Sequence, residues 1–278
     1  MNDSASRRAD HEKARRRRSL LVALGSTTVV VALVITLVPR MPRWDRVHES
    51  FFNGERFADS FPRLLDAFLL DVKIFFWSIP FIVVLALVVA TTRNSRSPVL
   101  FPLRVLAVAY TDIMRGVPVI LWIYLIGFGV PGLGLDRPWN SPLIWGSVAL
   151  VLTYASYVSE VFRAGIESVH ESQRAAARSL GLGTAQTMRF VVLPQAVRRV
   201  IPPLMNDLVS LQKDVALVSL IGPIEILRQA GVDKSKFANF TPYVAAAVVF
   251  LLITIPLTRT TDWLVERERR RTTGTRVR

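Results

Sequence analysis

Cysteine is missing from this chain of 278 residues. That excludes a disulfide framework, a thiol nucleophile and thiolate metal sites. Histidine is scarce. His11, His48 and His170 lie far apart, and no H-E-x-x-H pair places two ring nitrogens on one helix face, so no metal site is expected. The phosphate loop G-x-x-x-x-G-K-[ST] does not occur, so ATP is not expected to bind here by that route. The glycines of 129–134 stand among Val, Pro and Leu and read as a loose helix end. A nucleophile elbow G-x-S-x-G is absent as well. These absences together argue against an enzyme. Acidic residues are few, 21 against 35 Lys and Arg, giving a formal net charge of +14. Such a balance suits nucleic acid or an anionic surface. Yet 51% of the residues are hydrophobic and the mean hydropathy is +0.37. A disordered basic protein is excluded by that apolar content, and a soluble nucleic-acid binder would not carry it.

What the chain does have is long stretches without charge. Residues 19–39, 74–92, 116–135, 138–159 and 237–258 are uncharged runs of 19 to 22 residues. A helix needs about 20 mostly apolar residues to cross about 30 Å of hydrocarbon. A sixth stretch, 200–222, is apolar but interrupted by Asp207, Lys213 and Asp214. The expected fold is therefore all-α and polytopic, with six transmembrane helices. The first run follows Arg15–Arg18 as a signal peptide would. It is longer than a signal h-region and no small-x-small cleavage site follows, so it reads as an uncleaved anchor.

The basic residues are sorted by side. Residues 1–18, 92–116, 163–199 and 266–278 carry +4, +3, +4 and +4 and share one side under six crossings. Residues 39–66, 135–141 and 223–241 carry 0, 0 and +1. The positive-inside rule then predicts both termini in the cytoplasm. The excess charge reports orientation, and no nucleic-acid partner is expected. The 39–66 loop holds Trp44, Phe51, Phe52, Phe57 and Phe61 and is either an interfacial segment or a plain surface loop. Residues 95–98 read as a turn and 99–110 as a cytoplasmic lead-in to the third span.

The segment 160–206 carries the clearest local signals. Ser168 and Glu171 have capping-box spacing, which predicts a helix start there. Ala175, Ala176 and Ala177 favour helix through Leu180, and Gly181 suits a left-handed C-cap. A second short helix is expected from Thr184 as N-cap, interrupted at Pro194, with Pro202 and Pro203 opening the fifth span. This is a structured, exposed helix–turn–helix between two spans, of the kind that docks a partner.

In the fifth span Asn206, Asp207, Ser210, Lys213 and Asp214 fall within a 120° arc at 100° per residue. Ionisable groups at membrane depth cost about 2.5–3.5 kcal/mol each on insertion scales, so they face protein or water. Two readings stand: a substrate pathway through Asn206, Ser210, Lys213 and Asp214, in which Lys213 meets a carboxylate and Asp214 an ammonium, or a network that only holds helices together. Glu160 with Arg163, and Asp112 with Arg115, have i,i+3 spacing and read as structural pairs. Asp71 and Lys73 are expected to snorkel to the interface.

The motifs resemble a known family. Gln173, Arg174, Ala175, Ala176 and Ala177 run on to Gly181, and nine residues later comes V-V-L-P at 191–194. This is similar to the E-A-A-x-x-x-G-x(9)-I-x-L-P loop of the membrane subunits of ABC-type importers. R-G-V-P at 115–118 resembles the R-G-T-P of the polar amino-acid importers, and E-V-F-R-A-G-I at 160–166 their E-x-x-R-x-G-I. Leu193 to Ala196, Asn206 and Lys213 fall in register. The resemblance implies a five-helix permease core at 67–265. Residues 1–66 would add a basic tail, one helix and an external loop, and 266–278 a second basic tail. It implies a multi-pass permease of a bacterial plasma membrane that carries a polar amino acid. It also implies a second permease, same or sister, an external binding protein, and a cytoplasmic ATPase dimer that grips Ser172 to Gly181 and holds the ATP and Mg. Two positions depart: Ala175 stands where the loop has Glu, and Asp214-Val-Ala where the family has x-T-S. An ion- or proton-coupled secondary transporter is the alternative. It would explain the charged fifth span but needs no docking loop, and no internal repeat appears.

Overall fold

A computed structural model describes residues 3–95 and 97–274, with side chains over 18–95 and 97–267. Its regular elements are all helical among these residues. Two units make up the chain, 1–54 and 55–278.

The first unit holds α1 (Asp3–Leu37) and α2 (Trp44–Phe51). The stretch Arg18–Arg40 is long and apolar enough to cross a membrane, as the first uncharged run predicts. The segment after it is more ordered than the loop expected there. In α2 the residues Trp44, Val47 and Phe51 recur at helical spacing opposite Asp45, Arg46 and Glu49.

The second unit holds all but the first residue of α3 (Gly54–Asn94), 41 residues long with Pro62 and Pro80 inside it. Phe57 and Phe61 therefore belong to a helix, and their rings stack at 5.4 Å. Next come α4 (Phe101–Gly116), α5 (Val119–Gly129) and α6 (Pro142–Glu167). The short α7 (Glu171–Ser179) and α8 (Thr184–Thr187) precede α9 (Leu193–Asp214). A 3-10 stretch, Val215–Ile221, leads to α10 (Ile226–Phe237) and α11 (Thr241–Gly274).

Four stretches contain a helix long and apolar enough to cross a membrane: Arg18–Arg40, Trp44–Asn94, Pro142–Glu167 and Thr241–Arg267. Two bent pairs raise the number to six if each is one span. The expected third span is the first of these. Rather than one straight helix over 116–135, α4 and α5 meet at 108°. The eleven residues of α5 reach only about 16 Å. Pro118 is the cause. It disfavours the helical region for the residue before it, and Val117 is extended at φ −114°, ψ 135°. The fifth span also differs. Pro202 and Pro203 lie inside α9, which starts nine residues before them at Leu193. The second bent pair turns by 52° after Ile221, where Gly222 adopts φ 120°.

The core centres on α6. Its buried face carries Gly146, Ser147, Ala149, Thr153, Ala155, Ser156 and Ser159, small residues that let neighbouring helices approach. Their hydroxyls are satisfied within the helix: Thr153 Oγ1 donates to the Ala149 carbonyl at 2.8 Å and Ser156 Oγ to that of Thr153 at 2.6 Å. Around them pack Ile82 and Ala86 of α3, Ile123 of α5 and Leu211 of α9, with Val215 and Val218 beyond it. Gly165 marks the tightest crossing. A Cβ there would overlap Val200 Cγ1, so glycine lets α6 and α9 touch. A second cluster joins the start of α3 (Leu64, Phe68) to α10 (Ile226, Ala230) and α11 (Ala245, Ala246, Val249).

Candidate functional site

The 168–199 element is positioned from below by α6. Ser168 closes α6, its hydroxyl donating to the Gly165 carbonyl at 2.6 Å, so it does not cap α7. The expected capping box therefore fails because α6 runs on as far as Ser168. His170 takes the N-cap place instead, and its Nδ1 accepts from the Ser172 N–H at 3.2 Å. Glu171 is released to pair with Arg178 at 2.8 Å on the surface. The C-terminus matches expectation. Gly181 has φ +82°, its N–H donates to Arg178 O at 2.9 Å, and the Leu182 N–H donates to Ala177 O at 3.1 Å. That is a Schellman end, which needs a residue without Cβ at the left-handed position.

Among the named loop residues, Ala177 is buried, Arg174 is half-buried, and Ser172, Gln173, Ala175, Ala176 and Gly181 are exposed. Arg174 Nη2 donates to the Ile166 carbonyl at 2.7 Å, and Arg199 Nη1 donates to that of Ser168. Arg174 thereby ties α7 to the end of α6, and Arg199 ties α9 to the same end. Leu180, 83% exposed, stands out from its turn.

The second short helix starts one residue earlier than expected. Gly183 is the N-cap, Thr184 is the first helical residue, and Gln186 Oε1 accepts from the Gly183 N–H at 3.0 Å. Pro194 does not interrupt the chain. Met188–Val192 form a π turn that runs straight into α9, and the wider turn accommodates the proline's missing donor and its ring.

Beside the element lies a charge cluster. Glu160 accepts from Arg163 Nη2 at 2.8 Å and Nε at 3.1 Å, forming the expected pair. Arg93 of α3 also bonds Glu160, and Arg115 Nη1 approaches it at 3.9 Å. Arg163 Nη1 reaches Glu167 at 2.5 Å. The expected Asp112–Arg115 pair does not form. Arg115 turns away to Glu160 and lies over the Tyr157 ring at 5.8 Å. Glu160 thus joins α3, α4 and α6 at one point, directly before the 168–199 element.

The stripe on α9 divides along its length. Asp214 Oδ2 accepts from Tyr154 OH of α6 at 2.8 Å. Asp207, one heptad earlier, lines a small cavity of about 110 Å³ that Tyr154 also lines. Asn206 and Lys213, likewise seven apart, are exposed, and Ser210 between the two rows is half-buried. Among the described residues no carboxylate comes within ion-pair distance of Lys213, so Lys213 and Asp214 do not pair. Gln212, on a third face, accepts from Thr254 Oγ1 of α11 at 2.8 Å.

Residues 56–270 match the model of a family described as the binding-protein-dependent transport system inner membrane component. The chain belongs to this family. It is 35% identical over 185 residues to the probable glutamine ABC transporter permease protein GlnM of Bacillus subtilis (strain 168), covering 66% of this chain and 83% of that one. It is 34% identical over 211 residues to the glutamate transport system permease protein GluC of Corynebacterium glutamicum, covering 72% and 91%. A crystal structure described as an amino acid ABC transporter with histidines matches with a TM-score of 0.67 and 29% identity, over 74% of this chain and 94% of the other. An inward-facing MetNI methionine ABC transporter matches in fold alone, with a TM-score of 0.59 and 17% identity over 74% and 95%.

Further polar residues of this inner membrane component are paired in ways that sequence spacing does not announce. Arg93 is the first charge after an uncharged run, which is a usable signal for a helix-end anchor. Tyr154 carries no such signal, being one aromatic in an apolar run. Asp71, expected to reach the interface, is 2% exposed, and its Oδ2 accepts from the Ile226 N–H at 3.3 Å. Glu225 caps the same helix, accepting from Leu227 N–H at 2.9 Å and Arg228 N–H at 2.7 Å. Asp233 is held by Arg63 at 3.1 Å and by Gln229 at 3.1 Å. Pairing across α3 and α10 is invisible to sequence, because the partners lie more than 150 residues apart.

Proposed function

We propose that this chain is the permease of an ATP-driven importer that carries a polar amino acid across a bacterial plasma membrane. It works with a second permease, same or sister, and receives its substrate from an external binding protein. Its termini face the cytoplasm. A cytoplasmic ATPase dimer holds the ATP and Mg and grips α7, so the chain itself performs no catalysis. The observation that carries this reading is the 168–181 element. It is a capped, exposed helix with small side chains at 175 and 176, tied to the end of α6 by Arg174, and Arg199 of α9 bonds that same end. A push on α7 would thereby reach α6 first, and α9 through the contacts it makes with α6 at Gly165 and Ser168. Relatives named for glutamine and glutamate transport support an amino acid as cargo.

The pathway in this reading runs along Asn206, Ser210 and Lys213, with Asp214 held at its edge by Tyr154. An exposed lysine without a carboxylate partner on an apolar span is costly unless water, a substrate or a partner subunit faces it. Lys213 is suited to a substrate α-carboxylate and Asp214 to its ammonium. The test is uptake of labelled amino acids by cells or proteoliposomes holding the permease, the ATPase and the binding protein. Uptake should require ATP hydrolysis and survive an ionophore that collapses ion gradients. Loss on ionophore addition with ATP present would favour a gradient-coupled carrier. Within that assay Lys213→Ala should cut uptake at least tenfold while assembly and ATP hydrolysis persist. Tyr154→Phe separates a structural role for Asp214 from a substrate-binding one. If it reproduces the loss seen in Asp214→Ala, Asp214 acts only through that hydrogen bond.

A further inference from the structure

A groove on the α3–α6 face holds a second unpaired lysine. Leu70, Ile74 and Trp77 of α3 face Leu143 of α6 across a hollow of about 490 Å³, with Trp139 at its edge. Lys73 lines it as the one ionisable residue. Among the described residues no carboxylate lies within ion-pair distance of Lys73, and its side chain is exposed. The residue stands immediately before the uncharged run 74–92, so its ammonium sits where hydrocarbon gives way to headgroups. Trp77 and Trp139 are 45% and 57% exposed. Indoles favour the same level of a bilayer. The Trp139 backbone is tied to α6, its carbonyl accepting from Trp145 Nε1 at 2.5 Å.

We propose that this groove is a binding site for an anionic phospholipid, with the phosphate on Lys73 between the two indoles and an acyl chain along Leu70, Ile74 and Leu143. Charge complementarity selects the occupant. A lone ammonium at the mouth of an apolar trough calls for an amphiphile with a negative head and a hydrocarbon tail. A free amino acid would leave the trough unfilled, and its own ammonium would oppose Lys73. A zwitterionic lipid would fill the trough but bring a cation with its phosphate.

The full chain purified in mild detergent, mixed with equal phosphatidylglycerol and phosphatidylcholine and read by native mass spectrometry, tests this. The wild type should retain phosphatidylglycerol about fivefold over phosphatidylcholine, the weight of one surface cation on an anionic headgroup. Lys73→Gln should remove that preference and Lys73→Arg should keep it. Equal retention of the two lipids by the wild type, or an undiminished preference in Lys73→Gln, would overturn the site. A photo-crosslinking residue at Ile144 supplies a second readout. Capture of phosphatidylglycerol supports the proposal, whereas capture of a second permease chain would show that protein covers the groove.

Discussion

Two short helices hang from longer ones in this permease, and they are built on opposite plans. The twelve residues of α10 are sunk into the body. Its N-cap Glu225 is fully buried, Asp71 of α3 reaches its first N–H, and Asp233 is anchored to Arg63 from 170 residues away. The nine residues of α7 bury one side chain, Ala177, and take their caps from His170 and Gly181 close by in sequence. Its ion pair, Glu171–Arg178, is open to water. The difference separates two jobs. A helix held by long-range buried bonds is part of the scaffold. A helix held by bonds close in sequence, with its outer face exposed, leaves that face open to the docking proposed for it.

That contrast can be broken most sharply at Asp233. Asp233→Ala removes the acceptor that holds both Arg63 and Gln229, and hydrogen bonds to charged groups are worth about 1.5–3 kcal/mol. Arg63 is 41% exposed and can turn to water, so the expected loss lies toward the lower end, about 2 kcal/mol. The thermal midpoint of the purified protein should fall clearly. A midpoint within error of the wild type would mean that α10 is no better anchored than α7.

A middle case is Gly181. At φ +82° a β-branched residue is strained, so Gly181→Val should cost about 1–2 kcal/mol locally. Only the end of α7 depends on this turn, so the cost should appear as faster amide exchange over the 177–182 turn and not as a lower global midpoint. Uptake should fall with it. If the whole molecule loses stability instead, α7 belongs to the cooperative body and the contrast collapses.

The sequence exposes these two regions unequally, for a physical reason. Gly181 after three alanines is a local signal, and local signals for turns survive folding. Uncharged runs likewise report hydrocarbon thickness, so membrane-crossing length was legible. A charge-free run does not register a backbone break, so the bend at Pro118 is hidden inside an apolar stretch of span length. Ser168 carried the right spacing for a cap, yet α6 outcompeted it by continuing to that residue. Asp71, Asp233 and Tyr154 are satisfied by partners brought near only by packing, and no spacing along the chain encodes those distances. The exposed α7 is therefore readable from the sequence, and the buried anchoring of α10 is not.

Ala176 gives the smallest structural effect and the most discriminating one. It is exposed on α7, and glutamate is a good helix former, so Ala176→Glu should change stability by less than about 0.5 kcal/mol. The amide-exchange pattern of the 177–182 turn should be unchanged. Co-purification of the ATPase and uptake should nonetheless drop severalfold, because a charge and a longer side chain now stand on the face offered to it. The pairing of these results is what matters. A variant that leaves the fold intact and removes the partner assigns the face to docking, whereas Gly181→Val perturbs both. If Ala176→Glu binds the ATPase and transports normally, the grip lies elsewhere, and the exposed Leu180 beyond the helix end becomes the surface to alter next.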